Sequence, residues 1–421
     1  MWYLWGILQR PEISTGTEKV GGLVLPEIMV PPVTAESWGK RRAEIVQIFE
    51  ENVYGKRPEN DCCIHSRMLS SSTAYEGAGV RQLYEVQVKT ERGSAAMLLS
   101  VLLPQGQDKV PCVLMISNHD KEERPAGKPD PARINKLFAD APSDWMEETK
   151  RMMQQWQTPQ GNPGGNLLDI TKDDDQDYWP EKTILASGHA AACFYASQAQ
   201  ADAAGEFPEG LSALFLNPDK PRDENGWGTL GVWAFAASCM ISVLEEHPSI
   251  QSEKLSVAGH SRGGKTALWC AAQDTRVNAV LVNNSGCSGA AVSRGKRGEV
   301  VASICAMFPH WFCPNYARYG WREAQMPFDQ HMLLAAVAPR LCYVTSGTLD
   351  AWSDPDAEWR GVKESSLIWE SLGCPPLPQL PPQGGKAYQE SCVGYHRRLG
   401  GHDLTRWDWE QFLHFLALHN G

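Results

Sequence analysis

No run of about 18 apolar residues occurs in this 421-residue chain, so a membrane-spanning helix is not expected. A basic excess is missing too. Lys and Arg number 39 against 50 Asp and Glu, a net charge of −11. Binding nucleic acid or clinging to an anionic membrane needs a basic footprint, so neither partner is expected. Cysteine is scarce at 12 residues, too few for a disulfide scaffold in a chain this long. Most sit in apolar runs (Cys112, Cys193, Cys239, Cys270, Cys342), where a free thiol acts as a small hydrophobe. The Cys62-Cys63 pair has no Cys-x-x-Cys companion and no nearby pair of histidines, so no structural metal is expected. Internal repeats and low-complexity tracts are absent. Met1 to Arg10 has no basic leading region and too short an apolar stretch for a secretory signal. What remains, 42% hydrophobic and 21% charged residues, is the composition of an ordinary globular protein.

The pattern along the chain predicts one α/β unit. Residues 1–40, rich in Pro and Gly, are expected to form an N-terminal arm, with one catalytic domain over 41–421. Trp38 to Tyr54 predicts the first helix, from Ile45, Ile48 and Phe49 spaced three and four apart. Val80–Val88 and Ala95–Leu103 predict an antiparallel pair turning at Glu91-Arg92-Gly93. Val110–Ser117 is continuously apolar, as in a strand buried on both faces of a parallel sheet. From Lys121 to Glu181 periodicity fails except for a helix over Asp144–Gln155, which predicts an insertion shaping a cleft. Buried-strand runs recur at His189–Tyr195, Leu255–Ala258, Ala279–Asn283 and Arg340–Thr345. Helical patterns lie between and after them at Gly226–Glu246, Lys265–Gln273, Asp356–Leu372 and Thr405–His419. This alternation predicts a doubly wound, mostly parallel sheet with antiparallel N-terminal strands.

The sharpest motif is Gly259-His260-Ser261-Arg262-Gly263, between a short apolar strand and a helix. In such a Gly-x-Ser-x-Gly elbow the serine sits on a strained turn, with its hydroxyl exposed and helix N–H groups beneath it. Ser261 is thus the candidate nucleophile. Hydrolases built on this elbow place an acid and then a histidine further along the chain. His402, in Gly400-Gly401-His402-Asp403, suits the base, on a loop before the last helix. His260 is expected to point away from Ser261 and pack at the elbow, His396 to lie within a strand and His331 to open a helix. Asp350, just past a buried strand, suits the acid, whereas Asp354 before Pro355 reads as a helix cap.

With these residues go Lys265, Asn284-Ser285-Gly286-Cys287-Ser288-Gly289-Ala290, Arg294, Glu299, His331 to Arg340, and Asp350-Ala351-Trp352-Ser353-Asp354-Pro355. Together they resemble the glucuronoyl esterases of carbohydrate esterase family 15, in particular their bacterial branch. Ser-Arg-x-Gly-Lys is more specific than the elbow alone. The resemblance implies an α/β-hydrolase fold without metal or organic cofactor. It implies hydrolysis of the ester between 4-O-methyl-glucuronic acid of glucuronoxylan and lignin alcohols, by a Ser-His-Asp acyl-enzyme route. It also implies a secreted or periplasmic enzyme, expected as a monomer. Arg262 offers its backbone N–H and its guanidinium to the oxyanion. Lys265 lies one turn along the elbow helix, able to donate to sugar hydroxyls with no carboxylate partner nearby in sequence. The resemblance gives Glu299 and Trp352 hydroxyl-binding roles too. Glu299 could instead pair with Arg297 or Lys296 at the surface, and Trp311 and Phe312 are candidates to line the cleft. One position departs from the pattern. Fungal members carry a glutamate where this chain has Asn284, so the acid role passes to Asp350 and Asn284 is expected to supply only a neutral hydrogen bond. Two other readings compete: an acetyl xylan or other carbohydrate acetyl esterase of the same fold, and a non-catalytic carbohydrate-binding relative.

Overall fold

The computed structural model describes residues 24–420 except 31, 60, 121–129, 156–166, 205–209 and 218. Most of the expected N-terminal arm therefore lies outside the described residues. Helix α1 (Ala35–Phe49) begins three residues before the expected Trp38, because Thr34 and Ser37 exchange a capping box. It runs on as a wider π-helical turn, Glu50–Tyr54.

The strands β1 (Cys63–Ala74), β2 (Gly79–Thr90), β3 (Gly93–Pro104), β4 (Val110–Ser117), β5 (Ala190–Tyr195), β6 (Ile250–His260), β7 (Ala279–Asn283), β8 (Leu341–Gly347), β9 (Lys386–Tyr388) and β10 (Val393–Arg398) form one sheet. Their spatial order is β1-β2-β3-β5-β4-β6-β7-β8-β10-β9. Pairing is antiparallel from β1 to β5 and at β9, and parallel from β5 through β10. This is the α/β-hydrolase arrangement the sequence predicts. The parallel strands β4, β5 and β7 are buried on both faces, apart from Pro111 in β4, which explains their unbroken apolar runs. Strand β1 gave no such signal. Nearly every residue from Cys63 to Ala74 is exposed, because it is an edge strand that the helical layer reaches only near Ile64.

The insertion is more ordered than its sequence implies. It holds α2 (Pro131–Asp140) as well as the expected helix, α3 (Ser143–Gln155). Asp130 caps α2 and Pro131 opens it, a start signal that the sparse apolar residues obscure. The short α4 (Glu181–Ala186) and α5 (Ala196–Ala199) flank β5. Helix α6 (Thr229–Glu245) is apolar nearly all round and buried, with α7 (Arg262–Gln273) packed beside it. After α8 (Val301–Met307) and α9 (Gln330–Ala335), the latter holding His331, α10 (Pro355–Ser371) and α11 (Arg406–Asn420) complete the helical layers. Asp354 caps α10 by accepting from Ala357 N at 3.1 Å. One disulfide, Cys374–Cys392, ties the segment after α10 to β10, a pairing not expected from cysteine spacing.

Away from the cleft, Arg81 on β2 is buried against Glu181, with bonds of 2.8 and 2.6 Å to its two oxygens. Glu181→Ala leaves that cation with the Ser100 hydroxyl at 3.3 Å and, as its carboxylate, the more exposed Asp173 at 3.2 Å. Breaking a buried pair on one side is expected to cost about 3 kcal/mol, read from the urea unfolding midpoint. A loss below about 1 kcal/mol would contradict a buried, mutually dependent pair.

Candidate active site

The elbow is built by close approach. Ser261 has φ 57 and ψ −123, an unusual conformation for a non-glycine residue, between the end of β6 and the start of α7. A Cβ at Gly259 would lie 2.1 Å from the carbonyl oxygen of Gly263, and one at Gly263 would lie 2.9 Å from that of Ile116. Only hydrogen fits at either place, which is the physical content of the Gly-x-Ser-x-Gly spacing. Ser261 N donates to Asn283 O at 2.9 Å, pinning the turn to β7. Arg262 is the first residue of α7, so its N–H is one of the leading donors at the helix N-terminus.

His402 and Asp350 come from loops after β10 and β8. His402 Nδ1 lies 2.7 Å from Asp350 Oδ2, and because a carboxylate only accepts, Nδ1 carries the proton. Asp350, 4% exposed, also accepts from Asn284 Nδ2 at 2.6 Å and from Ser353 N at 3.3 Å. Burial works to raise its pKa, but the neighbouring His402 and the bonds from His402, Asn284 and Ser353 outweigh it and hold the carboxyl well below the usual range. Asn284 thus donates to an ionised acceptor, which corrects the expectation of a merely neutral bond. Its φ of 43 turns it toward Asp350.

His260 packs at the elbow, buried against β7 and the candidate base. Its ring lies 4.6 Å from that of His402, and its Nδ1 donates to Asn283 Oδ1 at 2.5 Å. Burial, reinforced by His402 and His119, holds it well below the usual imidazole range, so it stays neutral beside the base. His119, after β4, stacks on Tyr178 at 4.1 Å, forming the wall behind His260. Neither residue was singled out from the sequence, because a histidine and a tyrosine 59 positions apart carry no shared motif.

The expected sugar-facing residues form a second cluster. Lys265 is only 4% exposed; its Nζ donates to Ser285 O at 2.6 Å and lies 3.9 Å from Glu299 and 5.9 Å from the Trp311 ring. It therefore has the carboxylate neighbour that local sequence did not reveal. Glu299 turns to Lys265, while Arg297 pairs with Glu148 at 3.6 Å and Lys296 donates to the carbonyls of Arg297 and Trp352. The half-buried Trp352 is tied to Glu299 through its backbone, with Glu299 N donating to Trp352 O at 3.0 Å. Trp145 on α3 reaches the same loop, donating from Nε1 to Gly298 O at 3.0 Å. Arg262 is held by Asp202, Nε to Oδ2 at 2.8 Å, and Trp311 Nε1 donates to that carboxylate at 2.6 Å; Phe312 is buried. Beyond α8 opens a cavity of about 1920 Å³, whose described lining carries eight Lys and Arg against four Asp and Glu. Among the described residues no group of His, Cys, Asp and Glu is arranged to hold a metal ion.

Beneath the acid loop lies Glu358, fully buried on α10. It accepts from Gly286 N at 2.8 Å and from Ser346 Oγ at 2.6 Å. Burial pushes its carboxyl up to about 7 despite those bonds, with Asp350 adding to the rise. Between its ordinary 4.5 and about 7 the folded protein keeps a proton that the unfolded chain has released, so stability falls as pH rises through that window. Glu358→Gln should remove this dependence. Relative to the variant, the wild type is expected to lose up to about 3 kcal/mol between pH 4.5 and 7, measured by chemical denaturation across that range. Parallel profiles would mean that Glu358 titrates normally.

A family model for "Glucuronyl esterase, fungi" matches residues 221–373. Carbohydrate esterase MZ0003, from an unknown prokaryotic organism, is 31% identical over 390 residues, 92% of this chain and 86% of its own length. A glucuronoyl esterase from Solibacter usitatus superposes with a TM-score of 0.78 at 32% identity, covering 96% of this chain and 99% of that one. A promiscuous CE15 esterase from the marine bacterial metagenome follows at 0.73 and 30%, covering 94% and 98%. With the elbow and the fold in agreement, and with these three relatives aligned along nearly its whole length, the chain belongs to carbohydrate esterase family 15 as a bacterial-type glucuronoyl esterase, a carboxylic ester hydrolase.

Proposed function

We propose that the protein cleaves the ester joining 4-O-methyl-glucuronic acid of glucuronoxylan to lignin alcohols, with Ser261 as nucleophile, His402 as base and Asp350 as acid. The observation that carries this reading is the His402–Asp350 bond of 2.7 Å, with the His402 ring 4.6 Å from that of His260, the residue before the strained Ser261. His402 takes the Ser261 proton at Nε2 as the oxygen attacks the uronoyl carbonyl, and Asp350 stabilises the imidazolium. Developing negative charge falls to the Arg262 N–H and guanidinium. When the intermediate collapses, the alcohol leaves with the proton from His402. Water then repeats the sequence, releasing the uronic acid and restoring Ser261.

Lys265, Glu299 and Trp352 supply a donor, an acceptor and a ring face for the sugar, which favours a uronoyl ester over the simple acetyl esters of the rival reading. The Cys374–Cys392 disulfide supports a secreted or periplasmic location, since such bonds persist in oxidising compartments. No helix among the described residues is long and apolar enough to cross a membrane.

Turnover of benzyl glucuronoate against an acetylated sugar tests the assignment. The uronoyl ester is expected to be hydrolysed far faster, and Ser261→Ala to abolish that activity. A preference for the acetyl ester would favour the rival esterase, and inertness toward both a binding protein. Lys265→Ala should lower kcat/KM on the glucuronoate about 10- to 150-fold, the loss of charge-assisted bonds worth ~1.5–3 kcal/mol, while sparing an aryl acetate. Equal losses on both would make Lys265 a support for the elbow.

For the acid, Asp350→Asn should cost up to ~10⁴-fold in kcat by favouring the wrong imidazole tautomer. Asn284→Ala should cost about tenfold or more, because it removes a bond to a charged acceptor. A collapse in Asp354→Asn with a near-normal Asp350→Asn would instead make Asp354 the acid.

A further inference from the structure

Asp202 lies on the loop after α5, remote in sequence from every motif of the site. It is 3% exposed and is the meeting point of three loops. Its Oδ2 lies 2.8 Å from Arg262 Nε on the elbow. Its Oδ1 accepts from His310 Nε2 at 2.8 Å and from Trp311 Nε1 at 2.6 Å, both on the segment after α8. Burial alone would raise its pKa, but Arg262, His310 and Trp311 outweigh that and hold it below the ordinary carboxylate value. The group is therefore an anion at working pH.

Each donor is itself anchored. Thr229 N and Leu230 N, at the start of α6, donate to the carbonyls of His310 and Trp311 at 2.9 and 3.2 Å. Those N–H groups would otherwise go unsatisfied at the helix end. The Trp311 ring stacks on Phe308 at 3.7 Å. On the other side, Trp233 Nε1 donates to Gln200 O at 2.8 Å, fixing the chain two residues before Asp202. A carboxylate held this way is a rigid acceptor, whereas an arginine side chain carries about 2 kcal/mol of rotamer entropy until something fixes it. A charge that must meet a short-lived oxyanion is effective only if oriented beforehand.

We propose that Asp202 is a positioning residue for the ester hydrolysis: an anionic clamp, braced by His310 and Trp311, that fixes the Arg262 guanidinium beside Ser261. The inference rests on the reading of Arg262 as an oxyanion contact. Trp311 also lies under Lys265, so the same clamp fixes the wall between the oxyanion side and the sugar side. Asparagine cannot replace the carboxylate, because its amide nitrogen accepts nothing and carries no charge to answer the Arg262 cation.

A double-mutant cycle with kcat and KM on benzyl glucuronoate tests the clamp. Asp202→Asn is expected to lower kcat about 10- to 100-fold with KM within about threefold, somewhat less than losing an oxyanion donor outright. In the Arg262→Ala background the same change should cost less than about threefold, because the group it positions is gone. Equal losses in both backgrounds would overturn the clamp and leave Asp202 a structural residue. A near-normal Arg262→Ala would overturn the oxyanion reading itself, and the clamp with it. If Asp202→Asn fails to fold, Trp311→Phe, which keeps a ring but removes one donor, should lower kcat severalfold in the wild-type background alone; an unchanged kcat would count against the clamp.

Discussion

The site depends on keeping one carboxylate ionised where water is nearly absent. A lone charge in the position of Asp350 would take up a proton, and a neutral acid there could neither fix the imidazole tautomer nor stabilise an imidazolium. Three donors from three segments prevent this: His402 after β10, Asn284 after β7 and Ser353 at the turn before α10. Each loop hangs from the end of a neighbouring strand, in the order β7, β8, β10. The parallel half of the sheet is thus what brings the donors to one point. Asp202 repeats the same logic beside the elbow, ion-paired with Arg262 and accepting hydrogen bonds from His310 and Trp311.

Much of this was legible because it follows from local rules. Buried parallel strands have to be apolar throughout, so Val110–Ser117 and Ala279–Asn283 carried their boundaries in plain view. The elbow was legible because two backbone approaches admit only glycine. Asp354 declared itself as a cap by standing before proline at a helix start. What stayed hidden depends on contacts across the chain. Strand β1 lacks alternation because the helical layer reaches it only near Ile64. Lys265 and Glu299 are 34 residues apart, Asp202 and Arg262 are 60, and no spacing rule links either pair. The worth of Asn284 was misjudged because its partner's charge, which sets the strength of the bond, is a property of the folded site.

The two buried carboxylates near the acid loop divide along the same line. Asp350 faces an imidazole and an amide and is held low, while Glu358, eight residues on along the chain in α10, receives only uncharged donors and is pushed up to about 7. Hydrogen bonds from neutral groups soften burial without reversing it; a partner able to carry positive charge reverses it. A fold can therefore keep one acid charged and its neighbour protonated within the same loop system.

The Trp145–Gly298 hydrogen bond gives the insertion a leverage that its place in the chain does not suggest. Helix α3 belongs to no layer of the sheet, yet its indole grips the residue immediately before Glu299, and its ring edge meets Trp321 at the rim of the cavity. Two parts of the candidate site thereby hang on separate scaffolds: Ser261, His402 and Asp350 on strand ends, the Gly298–Glu299 segment partly on an appended helix. A change in α3 can thus reach the loop that carries Glu299 without touching the strand ends that carry Ser261, His402 and Asp350.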